Sequence, residues 1–230
     1  MKFCKLKFRQ QLDFADDPNL AQKLGIPAGE NRNYEVFVTK LCHGYICDAN
    51  FNPTLAQTKN VIDQVIDGLE QLSKAGKTHN DIKPKNLLYL NTATGYDIKL
   101  SDFGQAGKMG GTPGWTAPVF LQERQPGRED IYSAGLVILR LLCESKELFQ
   151  SLRDNYVGVA PAWLSRFRGM TEINFVMKLV DLEAPLPVQQ IKNEWSLIKP
   201  SVQMISRQRL LRLGVPPVFL KSVLQPHHAR

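Results

Sequence analysis

The apolar positions fall into a few periodic blocks separated by turn-forming residues, and the period changes along the chain. From Leu55 to Ala75, Val61, Val65, Ile66, Leu69 and Leu72 recur at three- and four-residue spacing, which places one apolar stripe on a helix. Asn52-Pro53-Thr54 precedes it as a cap, and Gly76 closes it as the glycine just past the helix end. Asp130 to Cys143 is apolar on nearly all sides, the signature of a deeply buried helix. Tyr34 to Cys42 (YEVFVTKLC) is rich in β-branched and aromatic residues and predicts a buried strand ended by Gly44. Leu87 to Leu90 and Tyr96 to Leu100 predict two short strands joined by a turn over Asn91 to Gly95. Phe3 to Asp16 reads as a helix, and Asp17-Pro18-Asn19 and Gly25 to Asn33 as loops. Beyond Glu144 the pattern is helical, with breaks at Pro161, Pro185, Pro187, Pro200, Pro216 and Pro217. Arg207 to Arg212 (RQRLLR) has the spacing of an amphipathic helix face.

Composition narrows the class. At 230 residues and 43% hydrophobic, the chain can build a sizeable core in one domain, or in one large and one vestigial lobe. No apolar run reaches the roughly 18 residues of a membrane helix, and the basic start MKFCKLKFRQQ lacks a secretory pattern. Cys4, Cys42, Cys47 and Cys143 make neither a C-x-x-C pair nor a zinc spacing. Free thiols in a reducing compartment are expected, which places the protein inside the cell, in cytoplasm or nucleus. The net charge is +7 and the pI about 9.2. The positive residues are scattered, so nucleic-acid binding is not expected as the main role. A basic cleft also suits an anionic nucleotide.

Four short motifs carry chemistry. His79-Asn80-Asp81-Ile82-Lys83-Pro84-Lys85-Asn86 resembles the H-R-D-L-K-P-E-N loop of the protein kinase family. Asp102-Phe103-Gly104 resembles its metal-binding D-F-G. Gly111 to Pro118 (GTPGWTAP) resembles its substrate-positioning segment ending in A-P-E, and Asp130 to Gly135 (DIYSAG) the start of its buried central helix. The order and gaps match over about residues 17 to 145. Taken singly, each motif residue has a plainer account as a cap, turn or loop residue; together they point one way. The resemblance implies an α+β, protein-kinase-like fold with a mainly helical C-lobe and a vestigial β N-lobe. Residues 1–42 would be the N-lobe remnant (end of the regulatory helix, last strands and hinge), and residues 43–230 the C-lobe.

The resemblance also implies roles. Asp81 would accept the proton of a substrate hydroxyl, Lys83 would balance charge on the γ-phosphate, and Thr112 would hydrogen-bond Asp81. A Lys at position 83 resembles the serine/threonine branch. Asn86 and Asp102 would hold Mg²⁺ beside ATP, since oxygen donors suit this hard cation. Asp130 would accept backbone N–H bonds from the catalytic loop, and His79 and Phe103 would stack in the core. Leu88 would lie under the adenine, with Thr39 as gatekeeper and the backbone of Lys40 and Cys42 on the adenine edge. The substrate would be a protein, with no membrane partner.

The pattern also departs from the family. Asn80 replaces the Arg, and Val119 replaces the Glu of A-P-E, whose buried ion pair is therefore expected to be missing. No G-x-G-x-x-G and no strand Lys of the V-A-I-K type precedes the catalytic loop. Asp17-Pro18-Asn19 resembles the turn after the family's regulatory helix, so the chain is expected to begin inside that helix. Two readings follow: an ATP- and Mg²⁺-dependent protein kinase, or a weak or inactive pseudokinase that acts as a binding module. Either leaves room for a partner protein that completes or regulates the lobe. The short Gly104 to Ala117 segment predicts an activity that needs no phosphorylation there.

Overall fold

A computed structural model describes residues 2–3, 8–13, 33–38, 41–107, 111–117, 127–154, 169–181, 184 and 186–220. Helix α1 (Leu55–Lys74) is the first long element, and its ends follow from local chemistry. The Thr54 hydroxyl accepts from Gln57 N at 3.3 Å while Thr54 N donates to Gln57 Oε1 at 2.9 Å, a reciprocal capping box. At the far end Gly76 takes φ 59°, the left-handed turn that a side chain would disfavour. The stripe Val61, Val65, Ile66, Leu69 and Leu72 is buried as the spacing predicts.

Strands β5 (Leu87–Thr92) and β6 (Gly95–Leu100) form the hairpin. They belong to a four-stranded sheet that also contains β1 (Lys2–Phe3) and β4 (Gly44–Tyr45), in the order β1-β6-β5-β4. Gln64 of α1 ties the helix to β6: its amide donates to Tyr96 O at 2.9 Å and accepts from Ile98 N at 2.8 Å. Leu87, Ile98 and Leu100 point from the hairpin into the core and are essentially inaccessible.

Helix α2 (Arg128–Leu142) is buried on nearly every face. Around it pack α1, α3 (Lys146–Leu152) and α4 (Thr171–Val180), while α5 (Val188–Ile198) lies against α1 and α4. Trp195 of α5 is buried and donates its Nε1 to Asp63 Oδ1 at 2.7 Å, which satisfies its one polar atom. Pro187 sits at the cap position of α5, and Pro200 follows its end, so these two breaks fall at helix boundaries. Arg207–Arg212 forms α6, with Leu210 buried and Leu211 exposed. Among the described residues no helix is long and apolar enough to cross a membrane.

Two expectations change. Phe3 to Asp16 is not a helix: Lys2–Phe3 is β1 and Phe8–Asp13 is β2, the latter paired antiparallel with β3 (Asn33–Val38) from Phe8↔Val38 to Asp13↔Asn33. Leu6, Phe8, Leu12 and Phe14 alternate with Lys7, Arg9, Gln11 and Asp13, a period of two. The element ahead of Asp17-Pro18-Asn19 is therefore a strand, not the tail of a helix; that tripeptide lies outside the described residues. The strand predicted over Tyr34 to Cys42 ends at Val38, and Leu41 beyond it is 91% exposed.

Helices α2 and α4 meet at Gly135. A Cβ on Gly135 of α2 would come within 2.8 Å of Leu179 Cβ and 3.1 Å of Val180 Cγ1 on α4. Neither atom is the free end of a long side chain. Gly135→Ala gains helix propensity of about 1 kcal/mol but forces α4 outward at a cost of roughly 1–3 kcal/mol. A lower urea midpoint is expected; an unchanged or raised midpoint would show that the two helices are not in contact here.

Candidate active site

The site is assembled where β5 starts, β6 ends and α2 begins. Pairing Leu87 with Leu100 sets the chain at Asn86 against Ser101, whose N and Oγ both donate to Asn86 O, at 2.9 and 3.0 Å. Asp102 follows directly, so hairpin register alone brings the two predicted metal residues to one end of the sheet. The loop from His79 to Asn86 is pinned from below by Asp130, which is 2% exposed. Its Oδ2 accepts from His79 N and its Oδ1 from Asn80 N, both at 2.7 Å. Burial pushes the Asp130 carboxyl up, and the two amide bonds oppose that shift.

His79 is fully buried. Its Nδ1 accepts from Asp81 N at 3.2 Å, so Nε2 carries the proton and donates to Ser101 O at 2.9 Å. The ring thus links the loop to the segment before Asp102. Phe103 lies edge-on against it, 4.8 Å between centroids. The stacking is as expected, but Phe103 is 41% exposed and is not a core residue; the short helical turn Phe103–Gln105 carries its ring to the rim of the core.

Asp81, Lys83 and Thr112 close a triangle. Lys83 Nζ donates to Asp81 Oδ2 at 2.7 Å and to Thr112 Oγ1 at 2.6 Å, and Thr112 Oγ1 donates to Asp81 Oδ1 at 2.7 Å. Asn86 Nδ2 adds bonds to Asp81 O at 2.8 Å and Oδ2 at 3.0 Å. Burial pushes the Asp81 carboxyl up, but Lys83, Thr112 and Asn86 together outweigh it and leave the group below its ordinary value. The carboxylate is therefore ionised and oriented, and Oδ1, with one donor, keeps a lone pair for a further hydroxyl.

The structure also shows requirements that sequence reasoning did not list. Asn80 and Asp102 are the non-glycine residues with positive φ among those described, at 64° and 62°. Asn and Asp tolerate this region better than other side chains. Gly111 takes φ 137°, and a Cβ there would press on Asn80 O and the Thr116 hydroxyl. Its lack of a side chain lets the segment carrying Thr112 pass against Asn80 O and Thr116; a glycine immediately before the motif Thr was the available signal.

Two oxygen donors, the Asp102 carboxylate and the Asn86 amide, stand at the sheet end. Asn86 spends its NH₂ on Asp81, which orients the amide and leaves Oδ1 as its donor to a cation. Among the described residues no group of three His, Cys, Asp or Glu forms a metal cage. The donor set fits Mg²⁺, which binds through one or two such oxygens plus phosphates and water. Of the residues expected around adenine, Leu88 lies on the hairpin face opposite the buried Leu87 and Tyr89 and is half-buried. Cys42 is half-buried beyond β3. Thr39 and Lys40 lie outside the described residues.

Residues 30–209 match the family described as "Protein kinase domain", well over half of the chain, so the chain belongs to the protein kinase family. The fold agrees, with a mainly helical lobe and a small β portion. Among curated proteins, Calcium/calmodulin-dependent protein kinase type 1 of Caenorhabditis briggsae is 34% identical over 128 residues, 48% of this chain and 36% of that protein. The human type 1B enzyme is 34% identical over 128 residues, covering 48% and 37%. The mouse type IV enzyme is 29% identical over 109 residues, covering 43% and 23%. The chain thus spans little more than a third of the length of the type 1 relatives and less than a quarter of the type IV enzyme.

Removing the Asp130 anchor tests the assembly. Asp130→Ala leaves the His79 and Asn80 amides buried without an acceptor, a loss of roughly 2–4 kcal/mol. The check is equilibrium denaturation, together with the His79 imidazole NMR signals; unchanged stability and unchanged ring signals would show that the loop is held elsewhere.

Proposed function

We propose that this chain transfers the γ-phosphate of ATP to Ser or Thr hydroxyls of a protein substrate. The observation that carries the reading is the closed Asp81–Lys83–Thr112 triangle. A phosphoryl transfer asks the protein mainly to position groups and neutralise charge. Asp81 Oδ1 accepts the substrate hydroxyl and aims its oxygen, and takes the proton as the bond to phosphorus forms. Lys83 donates toward the transferring phosphate from the same cleft. Thr112 keeps the carboxylate from rotating and borders the bound hydroxyl. Asn86 and Asp102 would hold Mg²⁺, which supplies charge neutralisation on the phosphate oxygens when bound. Leu88, Thr39, Lys40 and Cys42 would form the adenine side, with residues 1–42 as the reduced N-lobe and residues 43–230 as the C-lobe. The lysine at position 83 and the kinship with calcium/calmodulin-dependent kinases support a serine/threonine rather than tyrosine acceptor.

The test is transfer from Mg²⁺-ATP to a protein substrate. Asp81→Asn removes the base and should lower the rate by about 10²–10⁴. Asp102→Asn should raise the Mg²⁺ needed for half-maximal binding of a fluorescent ATP analogue. Equal activity of both variants and the natural chain defeats the enzyme reading and leaves a kinase-fold binding module.

Asp81 also predicts a pH profile. Its folded carboxyl lies below the ordinary value of about 3.9, so the triangle's contribution to stability is complete above that value. It is lost only as pH falls through the lower folded pKa. No limb in transfer rate from Asp81 is expected between neutrality and about pH 5. Lys83→Met removes the leading stabilising partner, so Asp81 should titrate at higher pH, followed by NMR of its side-chain carboxyl.

A further inference from the structure

Next to the triangle lies a cleft of about 560 Å³ that includes Lys83 and Thr112 in its wall. A residue presenting its hydroxyl to Asp81 must have its chain neighbours in or beside this space. Its floor is aromatic: Trp115 and Phe149 stack with centroids 5.3 Å apart and planes 16° from parallel. Arg153 sits over Phe149 at 5.6 Å. The charges around this floor are one-sided. Lys85, Arg140, Lys146 and Arg153 line the cleft, against Glu144 alone among the described lining residues.

The nearby acids are already engaged. Glu144 accepts from Arg207 N at 2.6 Å, Asp48 from Tyr45 N at 2.7 Å, and Asp154 from Arg153 Nε at 2.8 Å. Glu147 bonds its own backbone N–H and the Ser145 hydroxyl, and Lys146 and Arg140 act on it electrostatically. Lys85 and Lys146 are different. Both are exposed, both act electrostatically on the Cys47 thiol against the opposing charge of Asp48, and neither is within ion-pair distance of a carboxylate among the described residues. Lys85 also stands where the family's loop carries Glu.

We propose that this cleft selects substrates whose acceptor hydroxyl is flanked by acidic residues, with Lys85 and Lys146 as the specificity-determining cations and the Trp115–Phe149 face as the apolar floor. The class of ligand is an acidic peptide segment. The proposal rests on the phosphotransferase reading for the acceptor hydroxyl, but the charge selection is a binding property and can be read without catalysis.

The experiment uses the full chain and three fluorescent peptides of one length with a central Ser, flanked by Asp/Glu, by Ser/Ala, or by Lys/Arg. Anisotropy gives binding, and transfer from Mg²⁺-ATP gives kcat/KM. Two exposed charge contacts account for roughly a fivefold to tenfold preference for the acidic over the neutral peptide, shrinking as salt rises toward 1 M. The double variant Lys85→Glu/Lys146→Glu should bind the basic peptide best, with its melting temperature unchanged. Equal binding of all three peptides, or an acidic preference that the double variant keeps, overturns the proposal. Charge-dependent binding with no phosphate transfer to any peptide removes the enzyme reading and leaves this inference standing.

Discussion

The site depends on one buried carboxylate. Asp130 sits at the start of a helix that is itself surrounded by core, and it holds the backbone amides of His79 and Asn80 at 2.7 Å. A carboxylate removed from water is costly unless its oxygens are paired. Two short bonds from backbone amides meet that condition for both partners. From there the order propagates through hydrogen bonds, not through packing alone. The His79 ring, fixed by the pinned backbone, bonds Ser101 O, and Ser101 bonds Asn86 O. Loop, hairpin end and helix start are therefore tied to one another, as the support of a functional constellation should be.

That rigidity explains why the triangle can be so compact. Asp81, Lys83 and Thr112 bring a carboxylate, an ammonium and a hydroxyl within 2.6–2.7 Å of one another. In water such a cluster would gain little, because exposed ion pairs are screened and lose side-chain entropy. Here Asp81 is buried and its backbone is fixed on both sides, so little freedom remains to be lost. Thr112 arrives from a separate segment, which at Gly111 passes too close to Asn80 O and the Thr116 side chain to admit a Cβ.

How much of this was legible in the chain differs by element for physical reasons. Helix α1 was readable to within a residue, because its stripe, capping residues and terminal glycine all agree. The hairpin and the burial of α2 were equally plain. The loop from His79 to Asn86 was recognisable because its polar side chains depart from what packing alone would select. Strands β1 and β2 were not read, although Leu6, Phe8, Leu12 and Phe14 alternate with polar residues. β2 is completed by a partner strand whose residues lie 20 to 30 positions further on, from Asp13↔Asn33 to Phe8↔Val38, and local propensity says little about such pairing. The positive φ of Asn80 and Asp102 was equally silent: each type tolerates that conformation but does not demand it. The exposure of Phe103 depends on where the chain turns after Asp102, which no spacing encodes.

The ion pair expected to be missing with Val119 shows how a local loss and a global need separate. Val119 lies outside the described residues, yet the lobe does contain a buried pair. Glu172 of α4, fully inaccessible, accepts from Arg209 NH1 and NH2 at 2.8 and 3.3 Å and from Gln203 N at 2.8 Å. A buried pair gains little over an apolar contact of equal volume, but it tolerates few alternative arrangements once formed. Its forked geometry requires α4 and α6 to meet in one register. Helix α4 is the element packed against Gly135, five residues along α2 from Asp130. The far end of the lobe thus helps set the position of the helix that carries the anchor. The register enforced by Glu172 and Arg209 and the loop geometry enforced by Asp130 are two constraints on one helix, applied on different sides.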